Sequence, residues 1–372
     1  MQAMKISNTL RFSAFLLFAA VLSAQEVPAW RIGPFSRPEG VNPVIKPNPK
    51  ARFRDPILKK RVRWEALHTF NPAAIVRDGK VYVLYRAEDD SGTKTIGGHT
   101  SRLGLAESDD GLHFKPLAKP VFFAAADAEQ EREWPGGVED PRIVEREDGL
   151  YVLTYTQWNR QTYSVGIATS PDLIHWTKYG PAFLSAAGGK YAGLKYKSAG
   201  IVTQVEKDRL IAAQIQGKYW MYWGEGAIHL ATSPDLIHWT PVEDATKNPG
   251  EILRPRRGRF DSGFPETGPP PVLTDKGIVL LYNGKNDLVG GDPRLGVNAY
   301  AAGEALFAAD DPAHLVGQLN QPVLRPEMPW EKTGQYKAGT TFAEGLVLFH
   351  NQWFLYYGCA DSLVAVVTAE KK

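Results

Sequence analysis

The heptapeptide SPDLIHW occurs twice in this chain, at 170–176 and again at 233–239, 63 residues further on. Each copy follows a strand-like run, VGIAT or IHLAT, and precedes a threonine. The Ser and Asp side chains can hydrogen-bond to local backbone groups, the proline fixes the turn, and the tryptophan offers a large apolar face to the next element. The motif therefore predicts a strand-turn-strand corner that the fold uses repeatedly.

Looser copies of the corner occur in LGLAESDDGLHF (103–114) and ALFAADDPAHL (305–315). Aromatic and β-branched runs with the alternation of half-buried strands accompany the corners. These runs are KVYVLYRAE (80–88), LYVLTYTQW (150–158), GIVLLYNG (277–284) and QWFLYYG (352–358). Such recurrence, with almost no amphipathic helix between copies, predicts an all-β fold, a five-bladed β-propeller with long inter-strand loops. A pair of β-sandwiches is the rival, but sandwiches do not repeat a corner so faithfully.

Composition limits the possible partners. The chain has 372 residues with 43% hydrophobic content, enough to bury a large core. Its net charge of +2 gives no reason to expect nucleic acid or an anionic membrane as a partner. The single cysteine, Cys359, can form neither an intramolecular disulfide nor a thiolate metal site by itself.

The N-terminus has the pattern of a secretory signal. Lys5 and Arg11 precede the apolar run FSAFLLFAAVL (12–22), and Ser23 and Ala24 supply small residues at a cleavage point. The run is shorter than the roughly 20 residues that a membrane-spanning helix needs. We therefore predict a signal peptide over 1–24, a single catalytic domain over 25–372, and a secreted or periplasmic protein.

The most unusual polar stretch is WPGGVEDPRIV (134–144). In an extended chain Glu139 and Asp140 would point to opposite sides, whereas Asp140 and Arg142 would share a face across Pro141. This pattern predicts one acid facing a pocket beside an arginine. A structural Asp-Pro turn with an Asp–Arg pair is the alternative.

Several motifs in register resemble glycoside hydrolase family 130. They are TFNPAAIVRDGKVYVLYRAED (69–89), GGVEDPRI (136–143), ETGPPPVLTDKGIVLLYNG (266–284) and WFLYYGCADS (353–362). Members of that family are five-bladed propellers that act on β-mannosides. The resemblance implies an inverting enzyme, which is either a phosphorylase with phosphate as nucleophile or a hydrolase with water.

The resemblance assigns roles residue by residue. Asp140 falls on the catalytic acid, whose proton is thought to pass through a sugar hydroxyl to the glycosidic oxygen. Such an acid must hold a proton near neutral pH, so we expect its pKa to be raised and Arg142 to hold substrate or backbone instead. The full set of predicted substrate-binding residues is Asn71, Arg86, Glu139, Arg142, Lys197 and Asp361. Turn capping for Asn71 and Asp361, and a surface position for Arg86, are the structural alternatives.

The same resemblance favours hydrolysis over phosphorolysis. Phosphorylases of the family hold phosphate with an arginine after a third-blade strand and a histidine in a YHG motif. This chain has LIAAQIQGKYW (210–220) at the first place and Asn283 at the second. Glu225 and Glu266 resemble instead the glutamates proposed as general base in the family's hydrolases, and they would repel phosphate.

Which glutamate is the base stays open. Glu225 lies between two glycines that allow close backbone approach, and we favour it slightly as base, with Glu266 orienting water or substrate. Either could instead be a structural acid paired with Lys195, Lys197 or Arg256.

Other features carry less weight. The scattered histidines show no HxH or HExxH spacing, so we expect no metal and no cofactor. The glycine-rich loop at 92–104 could close over the pocket, and the aromatic cluster at 218–226 could stack on sugar or pack between blades. The expected partner is a mannoside oligosaccharide. Two other function classes are a noncatalytic sugar-binding propeller and a five-bladed arabinan- or fructan-active enzyme. Enzymes of the second class place an Asp where this chain has Asn71.

Overall fold

The computed structural model describes residues 28–93 and 95–371. The predicted signal peptide at 1–24 lies outside the described residues. Within the described part, strands dominate and the α-helical content is one four-residue helix, α1 (Gln130–Glu133). No helix of the described part is long and apolar enough to cross a bilayer.

Strands follow one another in five antiparallel units after a short N-terminal hairpin, β1 (Phe53–Arg54) and β2 (Arg61–Val62). The first unit contains β3 (His68–Arg77), β4 (Lys80–Glu88), β5 (Ser101–Ser108) and β6 (Lys115–Pro116). The second contains β7 (Gly137–Glu145), β8 (Tyr151–Trp158), β9 (Tyr163–Ser170) and β10 (Thr177–Pro181). A 3₁₀ segment, Ala186–Gly189, precedes the third unit.

The third unit is the most divided. It contains β11 (Ala199–Ile201), β12 (Thr203–Glu206), β13 (Arg209–Ala212), β14 (Gln214–Ile215), β15 (Lys218–Trp223), β16 (Ile228–Ser233), β17 (Thr240–Pro241) and β18 (Glu251–Leu253). The fourth contains β19 (Phe264–Thr267), β20 (Val272–Thr274), β21 (Gly277–Lys285), β22 (Tyr300–Phe307) and β23 (Leu315–Gln318). After a 3₁₀ segment, Pro329–Glu331, the fifth contains β24 (Thr341–Phe349), β25 (Gln352–Cys359) and β26 (Leu363–Glu370).

The units are arranged around their first strands. Strand β3 of the first unit packs against both β7 of the second unit and β24 of the fifth. The chain therefore returns to its starting unit, and the N-terminal segment also bridges to β26 at Ser36 and Ile45. The predicted all-β class is confirmed, and five successive units in this order are those expected of a five-bladed propeller.

Apolar layers between neighbouring units form the core. One buried cluster joins Val83 and Tyr85 of the first unit to Phe354 and Tyr356 of the fifth. Another joins Leu84 of the first unit to Leu153 and other residues of the second. Because burial is distributed over these interfaces, each unit is stabilised mainly by its neighbours.

The corner at 170–176 has the predicted geometry. Ser170 Oγ accepts the amide of Leu173 at 2.8 Å, and Asp172 Oδ1 accepts the amides of Ile174 and His175 at 2.9 and 2.8 Å. Leu173 has a φ of 67° and is fully buried, so local hydrogen bonds and burial together hold a strained residue.

The second copy repeats this corner. The corresponding bonds of Ser233 and Asp235 agree with those of the first copy within 0.1 Å, and Leu236 has a φ of 69°. The looser copy has Gly111 at the same place, with a φ of 74°. The corners join β9 to β10, β16 to β17 and, in the looser copy, β5 to β6, so the motif recurs at corresponding places in successive units.

Candidate active site

A cavity of about 290 Å³ lies over the N-terminal ends of the first strands. All five units contribute to its wall. The lining residues are Phe70, Asn71, Arg86, Ile96, Gly97, Glu139, Asp140, Thr156, Trp158, Tyr163, Lys197, Glu225, Glu266, Tyr300, Tyr336, Thr340, Phe342 and Asp361. Eight of the nine residues predicted for catalysis or substrate binding are among them, and Arg142 is the exception.

Matching β-bulges place the polar residues of the first two units. Register shifts occur in β3 between Phe70 and Pro72 and in β7 between Glu139 and Arg142. The bulged residues, Asn71 and Asp140, have φ values of 46° and 47°, and each precedes a proline. Such strained backbone is typical of functional sites.

The bulge corrects the prediction for the adjacent acids. Strict alternation would send Glu139 and Asp140 to opposite sides, yet both side chains line the cavity. The extra residue at Asp140 interrupts the period of two, so both carboxylates face the same space. The pocket therefore has two neighbouring acids where strand alternation alone predicted one, and Glu139 lies at the cavity as the predicted substrate-binding set requires.

Arg86 joins these acids into one cluster. Its guanidinium lies 2.7 Å from Glu88, 2.8 Å from Glu139 and 3.1 Å from Asp140. It also lies 4.5 Å from the ring centroid of Phe70. Arg86 is thus a buried strand residue at the cavity wall, and the alternative of a surface arginine is wrong.

One oxygen of Asp140 is held and the other is left for a ligand. Oδ1 accepts hydrogen bonds from Asn71 Nδ2 at 2.9 Å and from Arg86 Nη1 at 3.1 Å. No hydrogen bond to Oδ2 is found within the described residues, so that oxygen faces the cavity with free lone pairs. Asn71 thereby contacts the acid directly instead of capping a turn.

The protonation of the cluster differs from the expectation for Asp140. Burial favours the neutral acid, but the charges of Arg86, Lys197 and Arg142 outweigh burial and hold the pKa of Asp140 below its usual value. Burial instead raises the pKa of Glu139 to about 7. Burial also raises the pKa of Asp361 to about 7. Near neutral pH, a proton in this cluster therefore resides on Glu139 or Asp361 before Asp140.

Arg142 lies behind the cavity. It donates to the backbone carbonyls of Asp140, Thr267 and Gly268 at 3.0, 2.7 and 3.1 Å. Its Nη1 also lies 2.9 Å from Oε1 of Glu344, a fully buried residue of β24. Of the two predicted roles, the geometry gives Arg142 the backbone role and no access to substrate.

A second cluster occupies the side of the cavity formed by the third and fourth units. Lys197 Nζ lies 3.3 Å from a carboxylate oxygen of both Glu225 and Glu266. Glu225 and Glu266 also face each other as an isolated antiparallel bridge. Of the alternative pairings predicted for these glutamates, the one with Lys197 is therefore present, whereas Arg256 binds Asp261 at 2.9 Å instead.

The two glutamates differ in accessibility. The Glu225 side chain keeps 29% of its surface exposed, whereas that of Glu266 has none. Glu266 Oε1 accepts from Ser198 Oγ at 2.5 Å, and its Oε2 has no hydrogen-bond partner within the described residues. Burial raises the pKa of Glu266 to about 7, although Lys197 opposes that rise.

Asn283 does not point into the cavity. Its side chain donates to the carbonyl of Ala343 at 3.0 Å and accepts from the amide of Ala343 at 2.8 Å. It therefore ties β21 to the inner strand β24. In this chain the position where the resemblance expects a phosphate-binding histidine is used for strand-to-strand contact.

Aromatic walls were missed by the sequence analysis. Tyr300 contacts Tyr336 and Phe342 with ring centroids 5.5 and 5.6 Å apart, and Trp158 lies 6.3 Å from Tyr163. Trp158 and Tyr163 flank the β8–β9 hairpin, a signal that the end of LYVLTYTQW could have given. Such rings offer faces for the apolar sides of sugars.

The loop at 92–104, which could close over the pocket, contributes Ile96 and Gly97 to the cavity wall. Trp158 Nε1 donates to the carbonyl of Gly97 at 3.0 Å and so fixes the loop to the second unit. The aromatic cluster at 218–226 packs instead: Trp223 and Tyr222 are buried and do not line the cavity. Of the two predicted roles for this cluster, stacking on sugar and packing between units, the structure shows packing.

A comparison with known proteins identifies the family. The model of glycoside hydrolase family 130, described as beta-1,4-mannooligosaccharide phosphorylase, matches residues 42–372. The chain belongs to glycoside hydrolase family 130. Mannoside-active enzymes, phosphorylases and some hydrolases, make up this family.

Relatives in family 130 fall on both sides of that division. A 1,2-beta-oligomannan phosphorylase from Thermoanaerobacter sp. (strain X514) is 32% identical over 85% of this chain and 95% of its own length. A glycosyl hydrolase structure from Bacteroides ovatus is 50% identical, with a TM-score of 0.91 over 93% of this chain and 96% of that one.

A third relative bears on linkage. It is a solved structure described as showing that family 130 of mannoside phosphorylases contains glycoside hydrolases that target beta-1,2 mannosidic linkages in Candida mannan. It is 50% identical to this chain, with a TM-score of 0.91 over 92% of this chain and 95% of that one. Identity is thus higher to these two structures than to the phosphorylase.

Proposed function

We propose that this protein is an exported, inverting β-mannosidase that hydrolyses β-1,2-linked mannosides. The observation that carries the proposal is the charge of the cavity wall. Its lining includes two basic side chains, Arg86 and Lys197, against five carboxylates. Both basic groups are already paired with those carboxylates, so little positive potential remains for a phosphate dianion.

In the proposed reaction Asp140 supplies the proton. Asn71 and Arg86 hold its Oδ1, which leaves Oδ2 to bond a sugar hydroxyl that relays the proton to the glycosidic oxygen. A neutral sugar that fills the cavity removes water from Asp140 and so favours its protonated form. Glu139, with its raised pKa, is the neighbouring reservoir for that proton.

On the other side of the cavity, Glu225 acts as the general base. Its partly exposed carboxylate can accept a proton from water, whereas the Glu266 carboxyl is enclosed and bound to Ser198. Lys197 bridges the two glutamates and fixes their positions. Acid and base thus lie on two sides of the cavity, an arrangement compatible with attack by water on the face opposite the leaving group.

The test is product identification. The mature protein is incubated with β-1,2-mannobiose, with and without inorganic phosphate, and the products are separated. We expect free mannose at the same rate in both, with the α-anomer formed first. Mannose 1-phosphate formed only with phosphate would support the second candidate, a phosphorylase, which the family description and the 32% identical relative favour.

Two further outcomes refine the proposal. Product formation by Asp140→Asn at the wild-type rate would contradict the assignment of the acid. Absence of product from any β-mannoside, together with measurable sugar binding, would point to a noncatalytic binding propeller. Export is tested separately, by N-terminal sequencing of the protein recovered outside the cytoplasm, which should begin near Gln25.

A further inference from the structure

Three potential metal ligands meet beside the cavity but outside its wall. His68 begins β3 and pairs across the strand with Glu88, the last residue of β4, and His99 comes from the following loop. One ligand atom from each residue lies within 4.8 Å of the other two. His99 and Glu88 are buried and His68 is half-buried.

Hydrogen bonds determine where each histidine carries its proton. His99 Nδ1 lies 2.8 Å from the carbonyl oxygen of Ser91, which can only accept, so Nδ1 carries the hydrogen. His68 Nδ1 lies 2.9 Å from Ser362 Oγ, whose own hydrogen is donated to the Ala360 carbonyl. In neutral His99 the lone pair is therefore left on Nε2, and in His68 it is left there when Ser362 donates its hydrogen to Ala360.

This is the arrangement that metal-binding histidines use. When one ring nitrogen donates its hydrogen to an oxygen atom, that bond fixes the tautomer and the ring orientation. It also makes the other nitrogen, which binds the metal, more basic. Here the two partners are a backbone carbonyl and a hydroxyl that is itself fixed, because the amide of Gln335 also donates to Ser362 Oγ. Neither ring is free to turn without the loss of a hydrogen bond.

The third member, Glu88, keeps acceptor capacity. Its side chain is fully buried, with Oε1 2.7 Å from Arg86 Nη2 and Oε2 3.1 Å from Gln335 Nε2. Each carboxylate oxygen has two acceptor positions, so one remains on each oxygen. Three sets of lone pairs thus converge, and a cation would satisfy all of them.

The loop that carries His99 is built tightly. A Cβ atom at Gly92, whose φ is 74°, would collide with the carbonyl oxygen of Gly98, and one at Gly98 would collide with Thr93. On either side of the turn, Ser91 and Thr100 donate backbone amides to Asp89 Oδ1 at 3.0 and 3.3 Å. The turn therefore delivers His99 to one defined position.

We propose that His68, Glu88 and His99 bind one divalent transition-metal ion, with Zn²⁺ as the best match. Two imidazole nitrogens and a carboxylate oxygen, with water in the fourth position, form an ordinary zinc coordination set. At metal distances of about 2.0–2.1 Å, tetrahedral ligand atoms lie about 3.4 Å apart, so each pair of ligand atoms would approach by at most about 1.4 Å on binding. No short motif in the sequence indicates this site, because the ligands are 20 and 11 residues apart.

The ion would stabilise the acid side of the cavity. Glu88 would be held between the metal and Arg86, and Arg86 in turn contacts Asp140. The residue after Asp361 is Ser362, which orients His68. The inference concerns binding and local order, and it does not depend on whether the enzyme uses water or phosphate.

The test uses the full mature chain after treatment with EDTA. Isothermal titration calorimetry with Zn²⁺ should show one saturable site per chain. Co²⁺ bound in its place should show the visible d–d absorption of an ion held by three protein ligands. His99→Gln and His68→Gln should each weaken binding at least 10-fold. The matched control, His113→Gln, removes an exposed corner histidine outside the cluster and should bind as the wild type does.

Two results would overturn the proposal. One is the absence of saturable Zn²⁺ or Co²⁺ binding by the wild-type chain, which would leave the two histidines with only their hydrogen bonds to Ser91 and Ser362. The other is wild-type affinity in both His99→Gln and His68→Gln, or loss of binding in His113→Gln, which would place the ion at a corner. Far-UV circular dichroism confirms that each variant is folded before titration.

Discussion

The two SPDLIHW corners have one sequence and one geometry, whereas the bulged inner strands have one geometry and different sequences. At the corners, Asp172 and Asp235 make the same bonds within four residues of themselves. At the bulges, Asn71 and Asp140 share a φ near 46° and a following proline, yet one supplies an amide and the other an acid.

Electrostatics separate the two regions as well. At the corners, burial raises the pKa of the aspartate, but local hydrogen bonds lower it further. The net result for Asp235 is a pKa of about 2. In the cavity, burial dominates and raises the pKa of Glu139, Glu266 and Asp361 to about 7. Corner acids therefore stabilise the fold in their charged form, whereas the cavity holds charge at a cost in stability.

Removal of a reacting carboxylate should have the largest effect. We expect Asp140→Asn and Glu225→Gln each to lower kcat about 10²–10⁴-fold, because each removes one proton transfer. The variants should unfold within a few degrees of the wild type. The measurement is the steady-state rate with β-1,2-mannobiose beside thermal unfolding of the same preparation.

A further variant separates the two glutamates. If Glu225 is the base, added azide should restore turnover to Glu225→Ala by acting as nucleophile, with little effect on Glu266→Ala. The reverse pattern would assign the base to Glu266. Equal, unrescued losses in both would show that the pair acts only through the position of Lys197.

The contacts of Arg142 connect the acid side of the cavity to the base side. Its bonds to the carbonyls of Asp140 and Thr267 fix the backbone next to both Asp140 and Glu266. Arg142→Lys keeps the charge near Glu344 but loses the fork of donors, so we expect kcat to fall about 10–100-fold with a smaller change in KM.

A control isolates that positioning role. Arg209→Lys alters another arginine that binds a strand acid, Glu145, at the opposite end of β7 from Asp140. It should leave kcat unchanged. If Arg142→Lys raises KM and spares kcat, Arg142 contacts substrate and the structural assignment is wrong.

Stability of the cavity should depend on pH through Glu266. Its folded pKa of about 7 exceeds the usual 4.5, so the folded state binds the extra proton and stability falls as pH rises from about 4.5 to 7. The upper limit of that loss is about 3 kcal/mol, at 1.36 kcal/mol per pKa unit. Glu266→Gln should flatten the dependence.

Chemical unfolding at pH 5 and pH 8 measures this difference. We expect the gap in unfolding free energy between the two pH values to be smaller in Glu266→Gln than in the wild type. Glu147→Gln, which changes an exposed acid, should retain the wild-type gap. An unchanged gap in Glu266→Gln would mean that Lys197 keeps Glu266 ionised throughout.

The sequence predicted what depends on neighbours in the chain. The corners follow from seven residues, because the serine and aspartate side-chain bonds that hold the turn lie inside the motif. Eight of the nine side chains predicted from the family resemblance lie at the cavity, because proteins that share whole motifs also share the three-dimensional positions of those motifs. The role of the 92–104 loop was also visible, because glycines at tight turns permit close approach.

The rest depends on contacts between distant residues. Strand alternation predicted that Glu139 would face away from the cavity. This prediction failed because a bulge with positive φ at Asp140 interrupts the alternation, and residue propensities do not indicate such a bulge. Burial alone would raise the pKa of Asp140; it is lowered first by Arg86, 54 residues away, and then by Lys197 and the neighbouring Arg142. Tyr300 reaches the wall from the start of β22, and Tyr336 reaches it from the segment before β24.

The smallest effects should come from the corners. Asp172→Ala and Asp235→Ala each remove two bonds to backbone amides, so each should cost about 1 kcal/mol of unfolding free energy and leave kcat unchanged. Because the corners lie in different units, the double variant should show the sum of the two losses.

The pH dependence should have the sign opposite to that of the cavity. Because the folded pKa of Asp235 is depressed to about 2, its contribution is present above about pH 4 and disappears as pH falls through 2. Urea unfolding at pH 7 and pH 3 should therefore show a smaller deficit for Asp235→Ala in acid. A deficit that stays constant would mean that the corner depends on the shape of its turn, set by proline and the buried leucine, more than on the carboxylate.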